Sequence, residues 1–544
     1  MERQPNLEWR SEQVGATRKG TNGHSKPPSE SPLTISSTNP ATGEYLGTVA
    51  VTSRDEGHEA VRRARWAAKK WARTSFEERA QYLRRANEII SDRLDEISSL
   101  ISRENGKPRV EAESSDILPV IYHNAHFARQ APKILSGHGV TMPFWNLLGK
   151  SSRLRYVPWG VVGIISPWNY PFGIPMTQIA MALIAGNVVV MKPSSSVPLI
   201  GEMIREIWES TGLPEDVVQI IQGPGKLGEV LIEEPVDRLI FTGSVPIGRH
   251  LAMLAAERLL PITLELGGKD PAVVLADCDL DATTSGILWG AMANAGQTCA
   301  GIERVYVERP IYRDFVRMIV KKAGQLRVGA DHDFDVDIGA ITSRSQLMQI
   351  DRQVRQAVAE GAHVQIGGHI VEDCCGDFYA PTILTNVTQD MPIMQEENFG
   401  PVLPIVLFDS QEEAINMAND STFALSASVW SGNRRRARQV AEQLEAGTVT
   451  INDSLYTYAL AETPWGGFGE SGAGKTHGRE GLFEMVRTVH ISSDFVPWIK
   501  KPWWYPYNGQ VRETFSALVK ALSGRQVARS WLKALRHLPL RKKL

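Results

Sequence analysis

The chain has 544 residues and a mass of 60.2 kDa, with 42% hydrophobic and 22% charged residues and a formal net charge of -2. That length accommodates two or three domains with a large buried core, and the near-zero net charge offers no overall attraction to nucleic acid. The first residues, MERQPNLEWRSEQ, are too polar for a secretory signal, and the longest near-apolar run, Ile179 to Met191, is broken by Gly186 and Asn187 and is too short to span a bilayer.

Residues 1–33 are rich in Ser, Pro, Gly and charge and are expected to be a disordered arm. The stretch ISSTNPATGEYLGTVAV reads as two short strands around a turn, and Glu59 to Arg103 as helical. From Arg155 the pattern changes. YVPWGVVGII, AGNVVVMK, DVVQII, VDRLIFT and PITLELGGKDPAVVL supply six β-branched strands, with helix-like segments such as Pro198–Thr211 and Lys226–Glu234 between them. Strand alternating with helix predicts a parallel α/β sheet. The rhythm returns after Thr283, with RVYVERP and PIVLFDS as strands, so two α/β domains are expected in succession. The last stretch is different. From Lys500 to Leu544 it carries eleven Lys/Arg against one acid, Glu513, after the aromatic run VPWIKKPWWYPYNG. Phe515, Leu518, Val519 and Leu522, and then Val527, Trp531, Leu535 and Leu538, fall at helical spacing on either side of Gly524. This reads as a basic amphipathic appendix.

Two glycine turns suggest a nucleotide. QGPGKLG puts Gly223, Gly225 and Gly228 in G-x-G-x-x-G order after a strand, and FTGS puts Gly243 and Ser244 at the next strand end, with Gly248 one turn further on. Glycines let a backbone approach a pyrophosphate, and a helix N-terminus offers unpaired N–H groups to it. The acid that usually follows about 20 residues later is missing, and a pair of plain tight turns is the alternative.

The four cysteines, Cys278, Cys299, Cys374 and Cys375, show no C-x-x-C or metal-type spacing, so no metal is expected and a reducing, cytoplasmic location is the simpler reading. Cys299 stands apart because LELGGKDP places Glu265 at an apolar strand end 34 positions before it. A carboxylate there is costly unless hydrogen-bonded or protonated, which makes it a candidate tuned base beside a candidate nucleophile. A buried glutamate capping a turn and a buried filler thiol are the alternatives.

SPWNYP, KPSSSVP, FTGS, LELGGKDP, NAGQTCAG, EENFGPVLPI and PWGGFGESGAGKTHGREG occur in the order found in the aldehyde dehydrogenase superfamily, which the chain resembles from about Thr38 to Ser493. The resemblance implies a Rossmann-like dinucleotide domain (34–145 and 158–268), an α/β catalytic domain (269–450) and a small β oligomerisation unit (146–157 and 486–497), with 498–544 as the appendix. It implies homodimers or homotetramers. Cys299 matches the nucleophile that forms a thiohemiacetal and then a thioester. Asn169 matches the oxyanion donor, and Glu265 the base that activates water. For NAD or NADP the matching positions are Ser166, Pro167, Trp168, Lys192, Ser195, Gly225, Gly228, Gly243, Ser244, Gly248, Leu266, Glu397 and Phe399. For the aldehyde they are Tyr170, Ile174, Thr177, Thr298, Ala300 and Trp465.

Three departures carry expectations. Ser195 stands where many NAD-preferring members have a glutamate that repels a 2′-phosphate, so NADP should be accepted. Val245 and Pro246 follow FTGS where Thr-Glu is common, which touches only the outer wall of the cofactor site. Lys475-Thr476-His477 replaces a stretch that often holds a relay glutamate, so that relay is not assumed. Thr177 replaces a bulky aromatic found in some members and is expected to widen the pocket mouth. No arginine in these segments anchors a carboxylate (Arg153 and Arg155 lie on the oligomerisation strand), so an apolar, aromatic or long-chain aldehyde is expected, with a succinate-semialdehyde-type substrate as the alternative. A thioesterase-like hydrolase and a non-catalytic scaffold are the competing classes. The complete cofactor motifs argue against the first and the intact Cys299, Glu265 and Asn169 against the second. The appendix, with Trp498, Trp503, Trp504, Tyr505 and Tyr507, reads either as a peripheral membrane contact or as a helix packed on the enzyme itself.

Overall fold

The computed structural model describes residues 33–142, 145–146, 149–234, 236–372, 375–501 and 503–523. The expected arm up to residue 32, Cys374, and the second amphipathic stretch with Val527, Trp531, Leu535 and Leu538 lie outside the described residues. The described residues fall into two compact units, one drawn from Met1–Leu135 and Val157–Arg487, the other from Ser136–Tyr156 and Thr488–Leu544.

The larger unit holds two sheets of the predicted α/β kind. The first runs, edge to edge, through Gly472–Ala473, Ile262–Glu265, Arg238–Thr242, Val161–Ile165, Val188–Lys192 and Val218–Ile220. All neighbours are parallel except the short Gly472–Ala473. Val161–Ile165, Val188–Lys192 and Arg238–Thr242 are buried along their whole length, as strands covered on both faces must be. Chain order reverses at Val161–Ile165, which pairs with Val188–Lys192 on one side and Arg238–Thr242 on the other. Ligands bind outside the carboxyl ends of strands at such a switch point, and here those ends are Ser166 and Gly243.

Two expectations change. The glycine turns after Val218–Ile220 and after Arg238–Thr242 are consecutive in sequence, yet two strands separate them in the sheet. At about 4.8 Å per strand that places them roughly 14 Å apart, so only the second turn borders the switch point. The helix expected over Lys226–Glu234 is a 3-10 turn, Gly225–Glu229, followed by a single α turn, Val230–Glu233. Pro224 and two glycines weaken helix formation there, and Gly228 packs close to Ile165, where a Cβ would sit 2.9 Å from Ile165 Cδ1.

The helical region before the sheet is three helices, Arg54–Trp71, Phe76–Asp92 and Leu94–Asn105. Ser53 and Glu56 form a capping box, and Ser75 starts the second helix by accepting from Glu78 N–H.

The second sheet runs through His363–Ile366, Thr382–Thr385, Val402–Phe408, Ile302–Glu308, Asp270–Val274, Ser426–Trp430 and Thr448–Ile451. It is parallel except for the edge strand His363–Ile366. Ala272, Val273, Val305, Val307, Ile405 and Val429 sit at its centre and are fully buried. Each such aliphatic side chain larger than alanine contributes about 1.5–3 kcal/mol by leaving water.

In the smaller unit, Val486–Asp494, Lys150–Pro158 and Gly139–Val140 form a three-stranded sheet with Val486–Asp494 at an edge. A helix, Gly509–Leu522, follows, capped by Asn508. Its expected apolar stripe is split. Thr514, Ala517, Leu518 and Ala521 are buried, whereas Phe515, Val519 and Leu522 face outward. Trp503 is also taken up within this unit, its ring 5.8 Å from that of Trp145.

Candidate active site

The cysteine arrives on a strained loop. Helix Leu280–Met292 ends at Ala293, and Asn294, Ala295 and Gly296 follow with φ of 54°, 52° and 73°. Consecutive left-handed residues of this kind persist only where surroundings over-determine them. Here Gln297 does so, accepting from Thr342 N–H (2.9 Å) and donating to Asn294 O (3.0 Å). The next turn presents Cys299, partly open, beside the end of strand Ile262–Glu265. Gly267 and Gly268 make the approach feasible. A Cβ on Gly268 would lie 2.3 Å from Cys299 O, and one on Gly267 would lie 2.6 Å from Glu397 Oε1.

Glu265 is buried, and its Oε1 accepts from Thr476 Oγ1 at 3.2 Å. Burial pushes its carboxyl up to about 8, against the opposing pull of hydrogen bonds from Thr476 and Trp465 and the charge of Lys475. Burial also raises the Cys299 thiol far above its ordinary range, helped by the negative charges of Glu265, Asp270 and Glu397, in that order, while the Ala300 N–H works the other way. The pair is a protonated thiol next to a carboxyl tuned toward neutral pH, the combination a general base needs.

Asn169 sits in the irregular segment between strand Val161–Ile165 and helix Gly173–Ala185. Its amide donates one N–H to Gln297 O at 3.0 Å, tying it to the cysteine loop. An amide has two such hydrogens.

An apolar cavity of ≈ 260 Å³ opens at Cys299. Five of the six expected pocket residues line it: Tyr170, Ile174, Thr298, Ala300 and Trp465. Tyr170 and Thr298 share a hydrogen bond of 2.8 Å. Thr177 is the exception. It is fully buried within helix Gly173–Ala185 and is not one of the lining residues. Sequence reasoning missed Ser114, Ser115 and Pro119 from the far N-terminal side, Trp289 and Ala293 from the helix before the cysteine, and Leu455, Tyr456, Tyr458 and Ala459 from the loop after Thr448–Ile451. Tyr458 is held between Trp465 (ring centroids 5.5 Å) and the fully buried His477 (4.7 Å). Among the described residues, no charged side chain lines the cavity.

On the other side of Glu265 the groups suited to a dinucleotide collect at the switch point. Helix Val245–Glu257 begins at Ser244, whose side chain makes no capping hydrogen bond, so the N–H groups of Val245 and Ile247, on either side of Pro246, which has none, are left without that cap. That is the donor set a pyrophosphate uses. Gly248 lets the helix pack on Leu266, since a Cβ would lie 2.5 Å from Leu266 Cδ2. Lys192, at the end of Val188–Lys192, is buried (3% exposed) and not a solvated strand-end charge. Ser166 N–H donates to its carbonyl at 3.1 Å. Pro167 and Ser195 are half-buried beside these strand ends, and Gly225 opens the 3-10 turn at the sheet edge. Glu397 accepts from Gly268 N–H at 3.1 Å, and its carboxyl is raised by burial and by neighbouring Glu303. Glu303, paired with Lys269 at 2.7 Å, in turn receives the N–H groups of Asn398 and Phe399. Phe399 meets Trp168 edge to face at 5.4 Å. These residues fit a dinucleotide: open helix donors, a buried cation and a half-buried carboxylate that can accept from ribose hydroxyls.

The chain is similar to known proteins along most of its length. A sequence profile described as Aldehyde dehydrogenase family matches residues 28–491. The chain is 35% identical over 491 residues to the 4,4'-diapolycopene aldehyde oxidase of Methylomonas sp, covering 90% of this chain and 92% of that one. It is 35% identical over 457 residues to a Mycolicibacterium smegmatis protein provisionally named succinate-semialdehyde dehydrogenase [NADP(+)], covering 84% and 88%. The crystal structure of a Mycobacterium tuberculosis aldehyde dehydrogenase complexed with NAD+ superposes with a TM-score of 0.81 at 33% identity, covering 86% of this chain and 95% of that one.

Proposed function

Because the chain belongs to the aldehyde dehydrogenase family, and is therefore an NAD(P)-dependent oxidoreductase that converts an aldehyde to a carboxylic acid, we propose that Cys299, Asn169 and Glu265 carry the reaction and that the substrate is an apolar, long-chain or aromatic aldehyde. The uncharged, aromatic lining of the cavity at Cys299 is the observation behind the substrate class.

In this reading Cys299 Sγ adds to the aldehyde carbon. Its proton leaves by way of Glu265, whose carboxyl near 8 can hold or release one at working pH. The oxyanion is received by the Asn169 amide N–H that Gln297 O does not use and by the Cys299 backbone N–H, and donors of this kind are worth about 3–4 kcal/mol each in a dry site. NAD(P), when bound, supplies the acceptor for the hydride that the carbon then loses. Lys192, Ser195, Ser244 and Glu397 would hold it. The thioester left on Cys299 is opened by a water that Glu265 deprotonates, with Thr476 orienting the carboxyl. Free acid leaves and the thiol returns.

The substrate class is tested by kcat/KM along a saturated aldehyde series. Each buried methylene adds about 0.8 kcal/mol, or roughly fourfold, until the cavity is full. Succinate semialdehyde should fall below the four-carbon apolar aldehyde, since its carboxylate finds no cation in the lining. A flat series, or succinate semialdehyde as the best substrate, would reverse the assignment.

The enzyme is read as a cytoplasmic homodimer or homotetramer. Val486–Asp494 supports this, because it is an edge strand with nearly every residue exposed, including Val489 and Ile491, and such edges are normally covered. Among the described residues no helix is long and apolar enough to cross a membrane. The smaller unit exposes Trp498 (77%), Tyr505 (78%), Val519 (65%) and Leu522 (64%) in a segment with many cations and one acid. Exposed apolar side chains in a segment that also exposes Lys500, Arg512 and Lys520 suit an anionic lipid surface. Co-sedimentation with phosphatidylserine vesicles, for the full chain and for Val519→Asp/Leu522→Asp, tests that contact, and equal partitioning would remove it.

A further inference from the structure

Behind Asn169 lies a buried ion pair that the reaction scheme leaves unexplained. Lys107 and Asp116 have no exposed side-chain surface, and their Nζ···Oδ2 distance is 2.6 Å. Buried pairs of this kind are weak evidence of stabilisation, because desolvating two charges offsets most of their attraction. What singles this one out is where the remaining donors and acceptors go. Lys107 Nζ also donates to Asn169 O at 2.8 Å and lies 4.1 Å over the ring of Tyr170. Asp116 Oδ1 accepts from the N–H groups of Phe172 (3.3 Å) and Gly173 (2.8 Å), which open the following helix. The same Asn169 carbonyl takes a second donor, Asn294 Nδ2, at 2.9 Å, and Asn294 belongs to the strained cysteine loop.

Two donors on one carbonyl fix the plane of the Asn169–Tyr170 peptide, and Asp116 fixes the chain three residues on. The intervening segment is neither strand nor helix, so no ladder of backbone hydrogen bonds sets its path. Oxyanion stabilisation requires donors held in place before charge develops, and small misplacements cost large factors in rate. We infer that Lys107, held by Asp116, is a positioning residue for this enzyme's oxyanion-binding amide at Asn169 and for the Tyr170 wall of the aldehyde cavity. This inference rests on the assignment of Asn169 as the oxyanion donor. A single ammonium with three donors reaches Asn169 O, Asp116 and the Tyr170 face together.

The test uses the full chain. Removing Lys107 alone would strand a buried carboxylate, so the informative variant is Lys107→Met/Asp116→Asn, which removes both charges while the amide oxygen introduced at position 116 can still accept from Gly173 N–H. Its kcat is expected to fall about 10- to 100-fold. KM for NAD(P) and the rate of Cys299 alkylation by iodoacetamide should stay within threefold, because neither depends on the Asn169 amide. Asn169→Ala alone should cost about 10²- to 10³-fold in kcat. Adding Lys107→Met/Asp116→Asn to Asn169→Ala should cost less than a further threefold, because Lys107 acts through Asn169. A merely structural role would instead multiply the two losses and slow alkylation as well, and either result overturns the inference. So would a double variant with kcat within threefold of wild type. If Asn169→Ala itself leaves kcat unchanged, the oxyanion assignment fails and the positioning role falls with it. If the double variant is insoluble, Lys107→Gln/Asp116→Asn, which leaves no unpaired charge and keeps the volume of both side chains, serves in the same cycle: a further loss under threefold on Asn169→Ala supports the inference, and a multiplied loss overturns it.

Discussion

Glu265 provides the sharpest test, because one change should move stability and chemistry in opposite directions. In the native state its carboxyl is raised from an ordinary 4.5 to about 8, chiefly by burial. A raised acid favours its protonated form, so the native state bears no penalty below pH 4.5. The penalty grows as pH climbs from 4.5 to 8 and is constant above. Each pH unit in that window is about 1.4 kcal/mol, giving roughly 3 kcal/mol at pH 7 and about 5 kcal/mol at pH 8.5. Glu265→Gln removes the ionisation and keeps an oxygen for Thr476 Oγ1. The variant should therefore match wild type in stability near pH 5 and exceed it by several kcal/mol at pH 8.5. Melting temperatures at the two pH values, with cofactor absent, measure the gap. In the same variant, mixing with aldehyde and NAD(P) should yield one equivalent of reduced cofactor per active subunit, more slowly than in wild type because the thiol has also lost its proton acceptor, and then stop, with the acyl group seen on Cys299 by mass. A stability gap that does not widen with pH would refute the raised carboxyl. Multiple turnovers at the wild-type rate would refute Glu265 as the hydrolytic base.

Thr476→Val removes a donor that holds the Glu265 carboxyl down. A hydrogen bond worth about 1 kcal/mol should shift the ascending limb of the kcat pH profile upward by roughly 0.7, and an unmoved limb would mean the 3.2 Å contact has no energetic weight. Ser195→Glu places an acid where a 2′-phosphate would sit, so KM for NADP should rise at least tenfold while KM for NAD stays within about threefold. Equal effects on both cofactors would locate Ser195 away from the ribose. Iodoacetamide at pH 7 should alkylate Cys299 in the free enzyme more slowly than a free cysteine, because burial keeps the thiol protonated. Faster reaction than free cysteine would contradict that.

The strands were legible because a parallel strand covered on both faces reads as a near-continuous apolar run, and VVVM and LIF are such runs. The glycine turns were legible as turns, but their separation in the sheet was not, since strand order is set by which helices cross which face. Lys226–Glu234 reads as one helix from its spacing, but Pro224, Gly225 and Gly228 weaken it to a 3-10 turn and a single α turn. Around Cys299, the residues contributed by segments with a recognisable motif were found. Those contributed by Ser115, Trp289 and Tyr458 were not, because they come from a π-helical turn, a helix face and a loop whose local sequences carry no sign of one another. Thr177 failed for a geometric reason, since position in a helix next to the pocket does not decide which way a side chain faces. The Lys475-Thr476 pair was noted as a departure, but only the fold shows that it still serves Glu265, by a hydroxyl and a nearby cation.

The cysteine is surrounded by three carboxyl groups, the buried Glu265 and Asp270 and the half-buried Glu397, and each makes the thiolate harder to form. A nucleophile usually sits near cations or a helix N-terminus that lower its pKa, so this environment is the reverse of an activated resting thiol. The arrangement makes sense if negative charge at sulfur is meant to exist only while it is being passed on. A thiol deprotonated as the carbonyl arrives transfers its charge at once to the aldehyde oxygen, and the Asn169 side holds donors for that oxygen, braced by Lys107 and Asn294. Stabilisation is then directed to the oxyanion and withheld from the free thiolate, which is the differential binding that lowers a barrier. The same logic fits a cavity lining that carries no charge among the described residues. A cation placed there for a substrate carboxylate would also stabilise the resting thiolate and blunt that difference.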